Sequence, residues 1–256
     1  MTLHVIQATV SLPAVIRHLR QTANMRALRG ADDGILIKTA FVETMGSNPD
    51  RQGPPPWPKP FAVISRRSDG TIQVAGYASR SAEEIRALMI GVPSIMAAVP
   101  PDQILGYALP AIAVGWRSRF SIQFCPMVRV ADNRERDVFL VEVEQATKAG
   151  REVARREEVY ADFLGRRLSG AAVDDLFVEG FSLDTVARGK DDACWGDPSA
   201  RHTIRVPSVT IHGTLTVTDP DSFTAILGHG IGRRRTYGNG MIRLGAMAQR
   251  QPMPAA

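Results

Sequence analysis

The residues best suited to chemistry lie near the C-terminus, in the segment GHGIGRRRTYGNG at positions 228–240. Glycine accepts positive φ angles, and the N–H groups that such turns expose can form a concavity that binds an anion. Arginine presents a fork of donors that matches phosphate oxygens, and the ring of Tyr237 is a surface on which an unpaired base could stack. The segment predicts binding of nucleic-acid phosphates. The alternative is a surface turn whose arginines are only solvated.

Two familiar phosphate loops are excluded by sequence and context. A nucleotide-binding P-loop requires Gly-Lys-Ser/Thr followed by a helix, and this segment lacks it. A dinucleotide fingerprint lies between a strand and the start of a helix, whereas this loop is expected after a helix and before a strand. The predicted RNA-binding residues within it are Gly230, Gly232, Arg233, Arg234, Arg235, Tyr237 and Gly238.

The net charge also favours a nucleic-acid partner but does not prove one. The chain has 31 basic and 26 acidic residues, a formal net charge of +5, which favours a polyanionic partner. A second basic cluster comprises Arg155, Arg156, Arg166 and Arg167. Glutamates alternate with these arginines, which is typical of an exposed helix with internal ion pairs. The alternative is a helix that lies along an RNA duplex and contacts its phosphates.

Metal, cofactor and membrane functions have little support in the sequence. Cys125 and Cys194 lie far apart without metal-ligand spacing, so we expect buried thiols and no cofactor. No apolar run reaches the roughly 18 residues needed to cross a bilayer. The first residues lack a signal-peptide pattern, so a cytoplasmic location is expected. Trp57 and Trp195 are interpreted as packing anchors.

The elements predicted for the first half follow the order strand, helix, strand, strand, helix, strand, which is the ferredoxin-like arrangement. They are a strand at 3–10, a helix at 14–29, a hairpin of strands at 61–66 and 71–78, a helix from Ser81 and a strand at 104–111. Residues 32–45 fit either a helix or a strand, and a helix is slightly favoured. Residues 46–60 predict a proline-rich loop.

The second half predicts a longer version of the same scheme. Its elements are paired strands at 119–130 and 138–143, a helix at 144–168, a loop at 169–205, a strand at 208–218, a short helix at 219–227 and a strand at 241–244. The predicted fold class is α+β, with two tandem ferredoxin-like (RRM-like) domains and a C-terminal glycine-rich loop. The first domain, 1–114, carries a helical, proline-rich insertion. The second, 115–256, carries a helical and loop insertion and the Gly/Arg-rich loop.

The stretch Val209–Gly245 resembles the C-terminal end of CRISPR repeat-cleaving endoribonucleases of the RAMP superfamily, particularly the type I-E branch. Gly230-Ile231-Gly232 and Gly238-Asn239-Gly240 match the family pattern in order and spacing. Weaker similarity covers 61–78, 119–129 and 160–168, and it adds Arg129 to the predicted RNA contacts. The resemblance implies two ferredoxin-like domains that bind the repeat hairpin of precursor CRISPR RNA. It further implies metal-independent cleavage and a mature guide RNA that stays bound within an effector complex.

The catalytic residues are where the sequence departs from this pattern. Type I-E relatives use a histidine in the first helical region, and only His4 and His18 lie in the N-terminal half here. Simple alignment puts Arg20 or Lys38 closer to the family position, and arginine cannot act as an ordinary base. This arginine-rich, histidine-poor pattern favours the divergent type IV branch. The residues predicted around the scissile phosphate are His18, Arg20, Arg26, Lys38 and Arg243.

Three functions therefore remain open at the level of sequence. The leading hypothesis is an endoribonuclease in which the RNA's own 2′-OH attacks the adjacent phosphate while the protein aligns the groups and stabilises charge. The second is a non-catalytic subunit that binds guide RNA inside an effector complex, which the weak histidine signal favours. The third is a ferredoxin-like regulatory protein that binds no nucleic acid.

Overall fold

A computed structural model describes residues 2–22, 32–46, 55–89, 93–130, 134–188 and 202–245. The chain forms two compact units, each described by itself. Unit 1 comprises Met1–Pro110, Thr185–Arg205 and Thr236–Gly238. Unit 2 comprises Ala111–Asp184, Val206–Arg235 and Asn239–Ala256. Within the part of the chain that the structure describes, no helix has the length and apolarity needed to cross a membrane.

Unit 1 is a four-stranded antiparallel sheet with helices between its strands. Its elements are β1 (His4–Ser11), α1 (Leu12–Gln21), α2 (Asp33–Met45), β2 (Phe61–Arg66), β3 (Thr71–Ala78), α3 (Ala82–Leu88), α4 (Pro93–Met96), a 3₁₀ turn (Pro101–Gln103) and β4 (Leu105–Ala108). The strand order is β2-β3-β1-β4. On the central strand β1, His4 lies opposite Ala78 of β3 and Ala108 of β4.

Capping side chains begin the helices of unit 1 where the sequence suggested. Ser11 accepts the N–H of Ala14 at 3.4 Å, directly after β1. Asp32 accepts the N–H of Ile35 at 2.8 Å, and this cap resolves the ambiguous segment as the helix α2. One face of β1 and the inner faces of α1 and α2 form the core, in which Trp57 is buried and stacks on Phe41 at 6.1 Å. The interpretation of Trp57 as a packing anchor is confirmed, while Trp195 lies outside the described residues.

Unit 2 repeats the strand order of unit 1. Its elements are β5 (Arg117–Phe124), β6 (Met127–Arg129), β7 (Glu135–Asp137), α5 (Val138–Ala149), α6 (Arg156–Arg167), β8 (Ala171–Arg188), β9 (His202–Val217), α7 (Pro220–His229) and β10 (Ile242–Leu244). The main sheet has the order β10-β5-β9-β8, and β6 and β7 form a separate hairpin. In both units the first strand lies between the third and the fourth, which is the ferredoxin-like arrangement. The predicted fold class, two tandem ferredoxin-like domains, is confirmed.

The strand predicted at 138–143 is wrong, because these residues form the first turns of α5. Valine, phenylalanine and leucine in this stretch suit a strand and a buried helix equally well. The caps decide the outcome: Asp137 accepts the N–H of Phe139 at 2.9 Å, and Gly150 ends the helix in the left-handed conformation. The strand predicted at 119–130 is likewise two strands, β5 and β6.

Two longer predictions in unit 2 also need correction. The single helix at 144–168 is interrupted after Gly150, and α6 begins at Arg156. The loop predicted at 169–205 contains all of β8 and the start of β9. Glycine, serine and aspartate in β8 are typical of loops, but pairing with β9 satisfies its backbone and overrides that preference.

Candidate nucleic-acid interface

Most of the predicted phosphate-binding residues of unit 2 surround one cavity of about 440 Å³. The hairpin β6–β7, the C-terminal end of α6 and the loop after α7 form its walls. Five arginines line it: Arg129, Arg166, Arg167, Arg233 and Arg235. Gly230 and Gly232 contribute backbone, and His229 and Ser169 add polar groups that the sequence interpretation missed. We call this feature the arginine cavity.

The glycine-rich loop is fixed by hydrogen bonds to its own chain. Ile231 donates its N–H to the carbonyl of Gly240 at 2.9 Å, and Gly240 donates to Gln123 at 2.7 Å. Arg233 donates its N–H to Cys125 at 3.1 Å, which joins the loop to the residue after β5. These bonds support an ordered backbone of defined shape instead of the solvated surface turn considered from the sequence.

The glycines of this loop permit close packing inside the protein. Gly232 and Gly240 have φ angles of 81° and 80°. A Cβ atom on Gly232 would lie 2.7 Å from the carbonyl oxygen of Cys125, and one on Gly240 would collide with the carbonyl of Ile231. The sequence was interpreted as allowing approach to a ligand, whereas the approach seen is between two stretches of the same backbone.

The three consecutive arginines do not act as one group. Arg234 has a φ of 59°, the left-handed conformation, which is unusual for a residue with a side chain. Arg233 and Arg235 line the arginine cavity, and Arg234 is not among the residues that line it. Arg235 also donates to the carbonyl of His229 at 3.1 Å, which holds its guanidinium beside the end of α7.

Positive charge is concentrated in the arginine cavity. Burial, together with the like charges of Arg233 and Arg167, lowers the pKa of the Arg235 guanidinium. Two of the lining arginines have carboxylate partners: Arg166 pairs with Asp162 at 2.8 Å and Arg233 with Glu135 at 3.5 Å. An anion that entered the cavity would reduce the repulsion among these guanidinium groups.

The N-terminal end of α6 has a different character. Arg155 forms an exposed ion pair with Glu158 at 2.8 Å. The guanidinium of Arg156 lies between two rings, 4.3 Å from the centroid of Phe139 and 4.6 Å from that of Phe181. Ion pairs within this helix therefore occur at both ends, because Arg166 pairs with Asp162. Arg166 and Arg167 also line the arginine cavity, and their contact with phosphates stays a prediction.

Tyr237 and Gly238 belong to unit 1, where they lie against α2. Lys38 donates from Nζ to the Tyr237 hydroxyl at 3.4 Å, and the same ammonium lies 4.9 Å from the centroid of the ring. The ring of Phe61 lies 3.3 Å from where a Cβ on Gly238 would be. A predicted catalytic residue and a predicted base-stacking residue thus form one contact.

The remaining predicted catalytic residues differ in exposure. His18 is 3% exposed; its Nδ1 lies 2.9 Å from the Ser94 hydroxyl and its Nε2 lies 4.0 Å from a carboxylate oxygen of Glu43. Arg20 is exposed near the end of the same helix, α1. Arg26 lies outside the described residues. Within unit 2, Arg243 lies on β10 opposite Ser121, and burial lowers the pKa of its guanidinium.

Within the described ranges, no group of three His, Cys, Asp or Glu side chains could hold a metal ion. Cys125 is a buried free thiol, as expected from the sequence, and burial raises its pKa to about 12. Cys194 lies outside the described residues.

Comparisons with known proteins agree with the CRISPR resemblance that the sequence shows near its C-terminus. A family model described as "CRISPR associated protein" matches residues 97–245. No curated protein sequence matches the chain.

Three solved structures share the fold at low identity. The CRISPR endoribonuclease Cse3 bound to a 19 nt RNA is 15% identical, with a TM-score of 0.60 over 96% of this chain and 100% of the other. Cse3 of Thermus thermophilus, bound to an RNA that represents a pre-cleavage complex, is 13% identical, with a TM-score of 0.56 over 96% and 100%. A chain of a CRISPR RNA-guided surveillance complex is 19% identical, with a TM-score of 0.53 over 94% and 99%.

Proposed function

The chain belongs to the CRISPR associated protein family, and from that premise we propose that it is a metal-independent endoribonuclease. It binds the repeat hairpin of precursor CRISPR RNA and cuts it by attack of a 2′-OH on the adjacent phosphate. The mature guide RNA stays bound and brings the protein to other effector subunits. The likeness to Cse3 bound to RNA and to a surveillance-complex chain supports this choice of substrate and partners.

The observation that carries the proposal is the arginine cavity. An A-form duplex is recognised mainly through its shape, its phosphates and its 2′-OH groups. Guanidinium groups suit phosphate because two parallel N–H bonds can form to one group. The cavity has five such groups on walls from three separate elements, held by an ordered loop. We assign phosphate binding to it, with Arg129, Arg166, Arg167, Arg233 and Arg235 as the contacts.

The chemical step requires alignment, proton transfer and charge stabilisation. Arg20, Arg26 and Lys38 are proposed to orient the scissile phosphate and offset its developing charge, and Arg243 stays a prediction for the same role. His18 would need to leave its contact with Ser94 to reach a substrate. The one histidine on α1, His18, is buried, and this supports assignment to the divergent type IV branch over type I-E.

One observation favours a second function. His18 is buried and hydrogen bonded, which favours a subunit that binds guide RNA without cutting it. Such a protein would need the arginine cavity and no proton-transfer group. This alternative predicts RNA affinity without any cleavage.

A single assay separates these functions. Purified protein is incubated with a repeat-hairpin RNA that carries either 2′-OH or 2′-deoxy at the cut site, with EDTA present. Cleavage of only the hydroxyl RNA supports the endoribonuclease. Binding of both RNAs without cleavage supports the non-cutting subunit. Absence of binding at low and high salt would leave the regulatory protein that binds no nucleic acid.

A further inference from the structure

Lys38 and Tyr237 form a contact in unit 1 that brings an ammonium to a phenol. The Lys38 Nζ lies 3.4 Å from the Tyr237 hydroxyl, close enough to donate a hydrogen bond. Both side chains are half-buried, so the pair is partly shielded from water and still accessible from one side. The ammonium can stay hydrogen bonded to the phenol oxygen while that oxygen gives up its own proton.

The backbone around the pair is shaped to hold this contact. Gly34 precedes Lys38 by four residues on α2, so the two residues lie on the same face of the helix. A Cβ on Gly34 would collide with the main chain of Tyr237, which therefore rests directly on the helix at this point. One turn later, Lys38 meets the hydroxyl of the same tyrosine. The glycine provides the space and the lysine provides the polar partner.

Among the predicted catalytic residues that the structure describes, no group outside this pair is a ready proton donor. Arginine stays protonated under ordinary conditions, and His18 is buried against Ser94. Tyrosine is one of the side chains that enzymes use as a general acid. Tyr237 has a hydroxyl proton to give and, in Lys38, a hydrogen-bond donor beside its oxygen.

We propose that Tyr237 is a catalytic residue, the general acid for the departing 5′ oxygen, and that Lys38 assists it. The inference rests on the proposed endoribonuclease function. The 2′ oxygen forms a bond to phosphorus and loses its proton to water, and the bond from phosphorus to the 5′ oxygen breaks. That oxygen takes the proton from the Tyr237 hydroxyl. A 2′,3′-cyclic phosphate and a 5′-OH result, and the phenolate beside Lys38 regains a proton from solvent.

A tyrosine that only anchored the loop or stacked on a base would not give a proton to the 5′ oxygen. Its loss would slow cleavage of every substrate alike, through weaker binding or a misplaced loop. A general acid, in contrast, is needed only when the leaving group must be protonated. Replacement of the 5′ oxygen at the cut site by sulfur gives a leaving group that departs without a proton.

The test measures single-turnover cleavage by the full chain, with EDTA, of two repeat-hairpin RNAs that differ only in 5′ oxygen or 5′ sulfur at the cut site. Tyr237→Phe is expected to slow cleavage of the oxygen RNA by about 100-fold or more and to cleave the sulfur RNA at nearly the wild-type rate. Lys38→Met should slow both RNAs, because Lys38 is also proposed to orient the scissile phosphate, and it should slow the oxygen RNA more than the sulfur RNA. Tyr107→Phe, which changes a half-exposed tyrosine on β4, serves as the matched control and should cleave both RNAs normally.

Binding of a hairpin with 2′-deoxy at the cut site shows whether each variant is folded and competent to bind. Equal slowing of both RNAs by Tyr237→Phe, or normal cleavage of the oxygen RNA, would overturn the assignment. The Lys38→Met variant gives an independent reading if Tyr237→Phe binds poorly. Wild-type protein that cuts neither RNA would reject the endoribonuclease function itself, and the general acid with it.

Discussion

The carboxylate of Glu135 lies 3.5 Å from Nε of Arg233 at the edge of the arginine cavity. Glu135 is on β7, directly opposite Arg129 of β6, so it faces a second arginine of the cavity across the hairpin. It contributes negative charge where a phosphate is proposed to bind. A bound phosphate and Glu135 therefore compete for the same guanidinium.

Replacement of Glu135 by glutamine is expected to tighten RNA binding. The change removes one negative charge from the cavity edge and keeps the size of the side chain. Because both partners are partly exposed, the ion pair is worth about 1 kcal/mol or less, which corresponds to at most about a fivefold lower Kd. Titration of a labelled repeat hairpin at fixed salt measures the effect.

The matched control is Glu144→Gln on α5. Glu144 pairs with Arg136 and Lys148, and it is not among the residues that line the cavity. We expect Glu144→Gln to change the Kd for the repeat hairpin less than Glu135→Gln does. Weaker binding by Glu135→Gln would show that Glu135 orients Arg233 for RNA and does not compete with it.

The three consecutive arginines should differ in their contribution to binding. Each contact with a duplex phosphate adds about 0.9 to the slope of log K against log salt concentration. Arg233→Ala and Arg235→Ala are each expected to weaken binding and to reduce the slope by about one. Arg234→Ala should retain the slope, since its side chain is not part of the cavity lining. Equal slopes for all three variants would contradict the assignment of the cavity as the phosphate site.

Local patterns in the sequence predicted much of the fold, and they failed where distant residues decide the structure. Ser81 and Pro220 signal their helices within a few residues, so α3 and α7 could be placed from sequence. Strand β8 could not, because its loop-like composition becomes a strand only when β9 pairs with it. The prediction for residues 138–143 failed for a different reason: their apolar pattern fits a strand and a helix equally well.

The candidate site could likewise be predicted only in part from the sequence. The glycines and arginines at 230–235 could be found because they are adjacent in sequence. Their meeting with Arg129 and Arg167 depends on the packing of β6 and α6, which no short pattern encodes. Glu135 was missed for a related reason: its contact with Arg233 joins residues that are far apart in sequence. The contact between Lys38 and Tyr237 joins residues almost two hundred positions apart.

Gly240 should be far less tolerant of alanine than a glycine with the same φ angle. Gly240 and Gly115 both have a φ of 80°. Alanine at Gly115 meets no atom within 4 Å, so it should cost about 1 kcal/mol of unfolding free energy from the backbone alone. At Gly240 the new methyl group would also collide with the carbonyl of Ile231. Urea unfolding of both variants should show a clearly larger loss for Gly240→Ala, and equal losses would contradict the tight packing of the loop.

The hydrogen bond between Tyr160 and Asp137 should contribute both to the free energy of unfolding and to RNA affinity. The Tyr160 hydroxyl donates to the Asp137 carboxylate at 2.9 Å, and both residues are buried. Burial and the neighbouring negative charge raise the pKa of Tyr160, so the phenol keeps its proton at any physiological pH. Asp137 ends β7 and caps α5, while Tyr160 is on α6. The bond therefore joins the hairpin that carries Arg129 to the helix that carries Arg167.

Tyr160→Phe removes the donor and leaves the buried carboxylate with fewer hydrogen bonds, at a cost of about 1–3 kcal/mol in unfolding free energy. Because the two walls of the arginine cavity are then less firmly joined, the Kd for a repeat hairpin should rise severalfold under conditions where the variant is fully folded. Tyr107→Phe, at a half-exposed position, should change neither quantity. A destabilised Tyr160→Phe protein that binds RNA as tightly as wild type would show that the cavity does not depend on this bond.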